Sequence, residues 1–296
     1  MTANYDFKGA IAKIQSLNPS VGILAQVHKL ISSPDVPLEQ VEEIIKLDTA
    51  LTANIIRLSN SGSRGGSIQI SSLRDAMNRV GLAEVNRFLC LSISKNVMYR
   101  NLEHYRVSAY DYWSDSISTA ILMELLSQRA KEDKSEAYTI GMLHAVGKLV
   151  INQVLDDLGL SIYMGAMVRV ERWEIKSIGF TYYTAGALLL KAWGLPQIVC
   201  DTIENQMSPD LAPTHTTMLK MLNFCIRLLH STGVDFRIKG WKVHESDIFL
   251  QEFSISPEDL KEIVETAKQK HGEAKASLVI SDTSPPVTED KGFQPS

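Results

Sequence analysis

The stretch Gly141-Met142-Leu143-His144-Ala145-Val146-Gly147-Lys148-Leu149 decides how this chain is read. One histidine stands among apolar residues, between two glycines six positions apart. A lone histidine in an apolar helical segment is ordinarily a hydrogen-bonded core residue. The glycines are harder to account for, because each costs a helix about 1 kcal/mol relative to alanine. Gly141 and Gly147 therefore point to close backbone approach or a local kink.

Outward from this stretch, almost every periodic segment is helical. Val41, Ile44, Ile45, Leu51, Ile55 and Leu58 recur at helical spacing. Ser71 or Ser72 is placed to cap a helix carrying Leu73, Ala76, Met77 and Val80, with Gly81 as its stop. Val85, Leu89, Ile93 and Val97 form another stripe, as do Trp113, Ile117, Ala120, Ile121 and Leu125. Ser256-Pro257-Glu258-Asp259 supplies a cap, a first-turn proline and early acids for a late helix buried through Leu260, Ile263, Val264 and Ala267. Ser67-Ile68-Gln69-Ile70-Ser71 alternates only briefly and reads as an extended loop. The expected fold class is all-α.

Composition narrows the possibilities. In 296 residues, 45% are hydrophobic and 22% charged, as in an ordinary globular protein of one large or two modest domains. A net charge of -4 provides no field to attract nucleic acid or an acidic membrane. No apolar run is long enough to cross a bilayer, and Met1–Asp6 lacks the basic and apolar regions of a secretory signal. Cys90, Cys200 and Cys225 are far apart among apolar neighbours, which predicts buried thiols in a reducing cytoplasm and no zinc site.

Residues 99–110 break the helical periodicity between two strong helices. After about residue 272 the chain is rich in Ser, Thr, Pro and acids, a composition that cannot offset its ordering entropy. The expected organisation is an N-terminal helical subdomain over 1–100, a second helical subdomain over 101–271 and a disordered tail over 272–296.

Several motifs in order carry a family resemblance. Leu47-Asp48-Thr49-Ala50-Leu51-Thr52, then Ile56-Arg57-Leu58-Ser59-Asn60-Ser61, then Ile70-Ser71-Ser72-Leu73-Arg74-Asp75-Ala76 with Val80-Gly81-Leu82, resemble the N-terminal signature of HDOD domains. Tyr112-Trp113-Ser114-Asp115-Ser116, the His144 stretch, and Thr184-Ala185-Gly186-Ala187-Leu188-Leu189 with Trp193-Gly194-Leu195-Pro196 continue it, over roughly residues 15–235. HDOD proteins are bacterial regulatory modules related to the HD metal-dependent phosphohydrolases. The resemblance implies an N-terminal helical bundle packed on an HD-like helical domain.

Carried over residue by residue, the resemblance also implies a degenerate metal site. HD enzymes bind metal through an adjacent His-Asp pair in a context close to Leu-Leu-His-Asp-Ile-Gly-Lys. Here the pair is His144 and Ala145, and a methyl group cannot ligate a cation. A further family histidine falls on Asp115, another on Tyr182, and a late histidine-rich segment on Ile203-Glu204-Asn205-Gln206. Metal activation of water needs several protein ligands and one open position. No cofactor and no metal are expected.

The resulting expectation is a non-catalytic bacterial signal-transduction module, cytoplasmic, acting on signalling protein partners. Asp115, His144, Ala145, Lys148, Tyr182 and Glu204 would line its vestigial pocket. A nucleotide-type, phosphate-bearing ligand held by Lys148 and Tyr182 is the small molecule such a pocket would take. The alternative is a divergent phosphohydrolase using Asp115, His144 and Glu204. Asn60 and Arg57 read as helix-end and interface residues. Ser61–Gly66 and Arg237–Lys242 read as surface loops, and no Gly-x-Gly-x-x-Gly or Walker loop is present.

Overall fold

The structure, a computed structural model, describes residues 9, 11, 12, 20–31, 37–60, 69–93, 97–162, 170–208, 216–236 and 247–281. The loops at Ser61–Gly66 and Arg237–Lys242, Ser67 and Ile68, and the tail from 282 lie outside the described residues. Among the described residues the chain is helical, and its one isolated β-bridge joins Leu102 to Val107. The all-α expectation holds. No helix among them is long and apolar enough to cross a membrane.

Local signals start and stop these helices. An N-terminal set comprises α1 (Ser20–Ile31), α2 (Leu38–Ile45), α3 (Thr49–Ser59), α4 (Leu73–Val80) and α5 (Leu82–Ile93). Of the two candidate caps, Ser72 is the one used: its hydroxyl accepts from the Asp75 amide at 3.1 Å. Gly81 ends α4 at φ 84°, where a side chain would be strained. Asn60 fastens the end of α3 to the next segment by exchanging hydrogen bonds with the Ile70 backbone at 2.7 and 2.9 Å.

The interval read as a break, 99–110, holds the bridge and a single 3-10 turn, Glu103–Tyr105. Beyond it come α6 (Ala109–Ala130), α7 (Lys134–Leu143), α8 (Gly147–Leu158), α9 (Val170–Ile178), α10 (Tyr182–Ala192), α11 (Gln197–Glu204), α12 (Thr216–Thr232), α13 (Ile248–Glu252) and α14 (Pro257–Ser281). Ser108, Asp133 and Thr181 cap α6, α7 and α10 through their side chains. At α14, Ser256 and Asp259 bond each other's amides at 3.0 and 3.1 Å, the reciprocal box the sequence suggests.

The long helix α6 organises the second set. It packs most extensively on α7, and α12 and α14 also pack on it. α8 and α11 pack on α10, while α5 joins the N-terminal set to α7. Trp113, Ile117, Ala120 and Ile121 on α6 are fully enclosed, as their spacing predicts. Cys90, Cys200 and Cys225 are buried free thiols.

Two sequence readings need correction. The HD-like stretch is not one continuous helix, because α7 ends at Leu143 and α8 begins at Gly147. Between them Val146, Lys148 and Leu149 donate to carbonyls three residues back, at 3.0–3.1 Å, tightening the chain into a turn. The break at 272 is also misplaced, because α14 runs on to Ser281. His271 and Ala274 are buried, so this part of the chain has an apolar seam to hold it.

The glycines act as close-approach residues. A Cβ on Gly141 would lie 2.6 Å from the Ala120 Cα, and one on Gly147 would lie 1.8 Å from the Tyr182 carbonyl oxygen. Both obstacles are backbone and cannot swing away. Gly147→Ala is expected to destabilise the fold by about 3 kcal/mol or more. Gly272→Ala, with nothing within 4 Å of the added carbon, is expected to stabilise α14 by up to about 1 kcal/mol. Urea unfolding of the two variants beside the wild type checks both signs.

Candidate functional site

The two close approaches assemble the site. Gly141 lets α7 press onto α6, which carries Asp115, and Gly147 lets α8 press onto α10, which carries Tyr182. The turn between α7 and α8 is thereby trapped with His144 and Ala145 inside it, both buried. Its carbonyls are taken up by neighbours. The Tyr112 hydroxyl donates to the Ala145 carbonyl at 3.1 Å, and the Gln206 side-chain amide donates to the His144 carbonyl at 3.0 Å. Asn223 on α12 in turn donates to the Gln206 carbonyl at 2.9 Å.

His144 is oriented from both sides. Its Nδ1 lies 2.8 Å from the Gly141 carbonyl, which can only accept, so Nδ1 carries a proton. Its Nε2 faces Asp115 Oδ2 at 3.4 Å. Nε2 can donate to that carboxylate only as the imidazolium. Burial opposes the charge on Asp115. The hydrogen bond and charge of His144, with the charges of Lys148 and His230, override it and hold the carboxyl down to about 2. Asp115 and His144 thus face each other across the site, the carboxylate held in its ionised form.

Lys148 lies at the start of α8 with its ammonium 5.1 Å from the centre of the Tyr182 ring, a cation–π arrangement. Tyr182 is buried, and burial raises its hydroxyl well above the usual phenol range. A second carboxylate, on Glu174 of α9, completes the arrangement. It is fully buried, accepts from the Tyr105 hydroxyl at 2.5 Å, and accepts from the Tyr182 amide at 2.9 Å. Burial pushes its carboxyl up to about 7 against the pull of these donors and of Lys148.

The structure therefore brings together Asp115, His144, Ala145, Lys148 and Tyr182. It does not bring in Glu204, which stands exposed at the end of α11. The reason is local: the helix ends at Glu204, and the chain turns so that Gln206, two residues later, points inward instead. Glu174, Gln206, Tyr112 and Tyr105 were not picked out from the sequence. Glu174 left a signal, since it lies four residues from both Val170 and Ile178 on the apolar stripe of α9.

The donor set does not suit a divalent metal. His144 Nε2 and Asp115 face each other, Ala145 contributes a methyl, and Tyr182 holds its proton. Among the described residues no group of three or more His, Cys, Asp or Glu side chains is arranged to hold a metal ion. No step through a metal follows from this arrangement.

The ionised Asp115 carboxylate makes a stability prediction. Asp115 falls from its ordinary 3.8 to about 2 in the folded chain, so its contribution is present above 3.8 and is lost as pH falls through about 2. Asp115→Asn is expected to cost on the order of 2 kcal/mol near neutral pH. Denaturant unfolding at stepped pH should show that cost shrinking in this acid window, and a cost that persists unchanged would remove the ionised carboxylate from the account.

Three comparisons bear on this arrangement. The family model described as HDOD domain matches residues 17–209. A cyclic di-GMP phosphodiesterase, CdgJ, from Vibrio cholerae serotype O1 is 24% identical over 159 residues, which is 52% of this chain and 35% of that protein. The chain spans about a third of the length of the curated relatives it matches. Among solved structures, a protein from Marinobacter aquaeolei VT8, provisionally named for signal transduction, superposes with TM-score 0.70 at 20% identity, covering 92% of this chain and 64% of its own. An HDOD domain protein of unknown function from Geobacter sulfurreducens superposes with TM-score 0.56 at 20% identity, covering 93% of this chain and 95% of its own. At these identities the structural likeness establishes the fold alone.

Proposed function

The chain belongs to the HDOD domain family, and from that premise we propose that it is a non-catalytic signal-transduction module acting through contacts with partner proteins. The observation that carries this reading is the pairing of Asp115 with His144 at 3.4 Å. Two groups turned towards each other, beside a buried Ala145, stand where several ligands and an open position would be needed to activate water. Three buried free thiols fit a reducing cytoplasm.

The charge inventory also bears on the ligand. Lys148 already faces Asp115, Glu174 and the Tyr182 ring. A phosphate entering here would meet the ionised Asp115 carboxylate as well as the Lys148 ammonium. This weighs against the nucleotide-type ligand and towards signalling through protein surfaces.

The competing reading is a divergent phosphohydrolase, and the activity named for the Vibrio cholerae relative favours it. It has to work without Glu204, which is exposed. Equilibration of the purified protein with Mg²⁺, Mn²⁺ or Fe²⁺, followed by desalting and elemental analysis, is expected to leave less than about a tenth of an ion per chain. Cyclic di-GMP incubated with the same samples is expected to remain intact. Metal-dependent hydrolysis that disappears in His144→Ala would overturn the non-catalytic reading.

A further inference from the structure

Helix α14 lies beyond residue 209, where the family match ends, and it is docked along the helix that carries Asp115. Leu260, Val264, Ala267, His271 and Ala274 are its buried positions, alternating by four and three residues as in a two-helix seam. Polar contacts run antiparallel along the pair. Asp259 meets Arg129 at 2.8 Å, Lys270 meets Glu124 at 3.1 Å, and the Lys275 ammonium lies 4.9 Å from the Tyr110 ring centre.

One seam position is not apolar. The His271 Nε2 lies 2.9 Å from the Ser114 hydroxyl, which also lies 3.2 Å from the Val234 carbonyl, a group that accepts from the Ser118 hydroxyl as well. Ser114 is the residue immediately before Asp115. A polar residue at a seam position sets register at a cost in stability. A histidine there adds a second state, because a charged imidazolium does not fit an apolar seam.

We propose that α14 is a proton-released strap: protonation of His271 unseats it from α6 and frees the face of α6 that carries Ser114. The inference does not rest on the non-catalytic reading, since it concerns a contact outside the site. The groups facing His271 fix the sign. Lys275, one turn along α14, opposes an added charge. Asp235, after α12, favours it. From α6 come the uncharged Ser114 and the Trp113 ring, 6.0 Å away between centres, and Phe236 packs edge-on. Burial, the largest influence, lowers the imidazole below its ordinary 6.5, and Asp235 offsets this in part. Docking is therefore complete above 6.5 and weakens as pH falls below it.

Amide hydrogen exchange on the full chain, corrected for intrinsic rate, tests this. Between about pH 7.5 and about pH 5.5, exchange in α14 is expected to accelerate by up to roughly tenfold, with α7 and α10 unchanged. His271→Gln keeps an N–H donor for Ser114 and cannot titrate, so its α14 should show no such change. Wild-type acceleration below about twofold, or equal acceleration in all three helices, sinks the proposal without needing the variant. Equal acceleration of α14 in wild type and His271→Gln sinks it as well.

Discussion

Backbone contact without intervening side chains is the constraint on which this molecule depends. Where Gly141 meets Ala120 and Gly147 meets Tyr182, no carbon beyond Cα fits. These two points are six residues apart, on either side of the α7–α8 turn, so they fix its position and direction relative to α6 and α10. Everything polar at the site follows from that fixing. His144 faces Asp115 because the turn is held there, and Lys148 reaches the Tyr182 ring because α8 starts against α10. The two glycine contacts therefore set the geometry of the site.

Partners decide whether a carboxylate enclosed by the fold keeps its charge. A buried carboxylate needs a partner or it gives up its charge. The two acids here take opposite courses. Asp115 finds His144 and stays ionised. Glu174, enclosed with a tyrosine hydroxyl and a backbone amide as donors, has its carboxyl raised towards neutrality.

Much of this was legible in the sequence, for specific reasons. The stripes of α6 and the caps Ser72 and Ser256 are local signals, and local signals survive into the structure. Gly141 and Gly147 announced close approach because glycine in a helix is costly, although the helix break between them was hidden by the continuous apolar run. Placement failed where a helix ends. Glu204 and Gln206 differ by two positions, and the end of α11 between them reverses which faces inward. The tail failed because its Ser- and Pro-rich composition was extended back over residues that α14 still holds. His271 and Glu174 each occupied an apolar stripe, and attention to polar residues at apolar positions would have found both.

The arrangement of α6 also bears on how the parts of this chain are joined. Within one helical turn, Tyr112 holds the Ala145 carbonyl, Ser114 holds His271 of α14, and Asp115 holds His144. Successive residues on a helix point about 100° apart, so three different neighbours are read by one rigid segment. Such a segment cannot shift towards α14 without changing its distance to the α7–α8 turn. Close packing makes that change discrete, because interiors deform by switching between packings and not by stretching. The Asp115–His144 contact and the docking of the C-terminal helix thus share a single turn of α6.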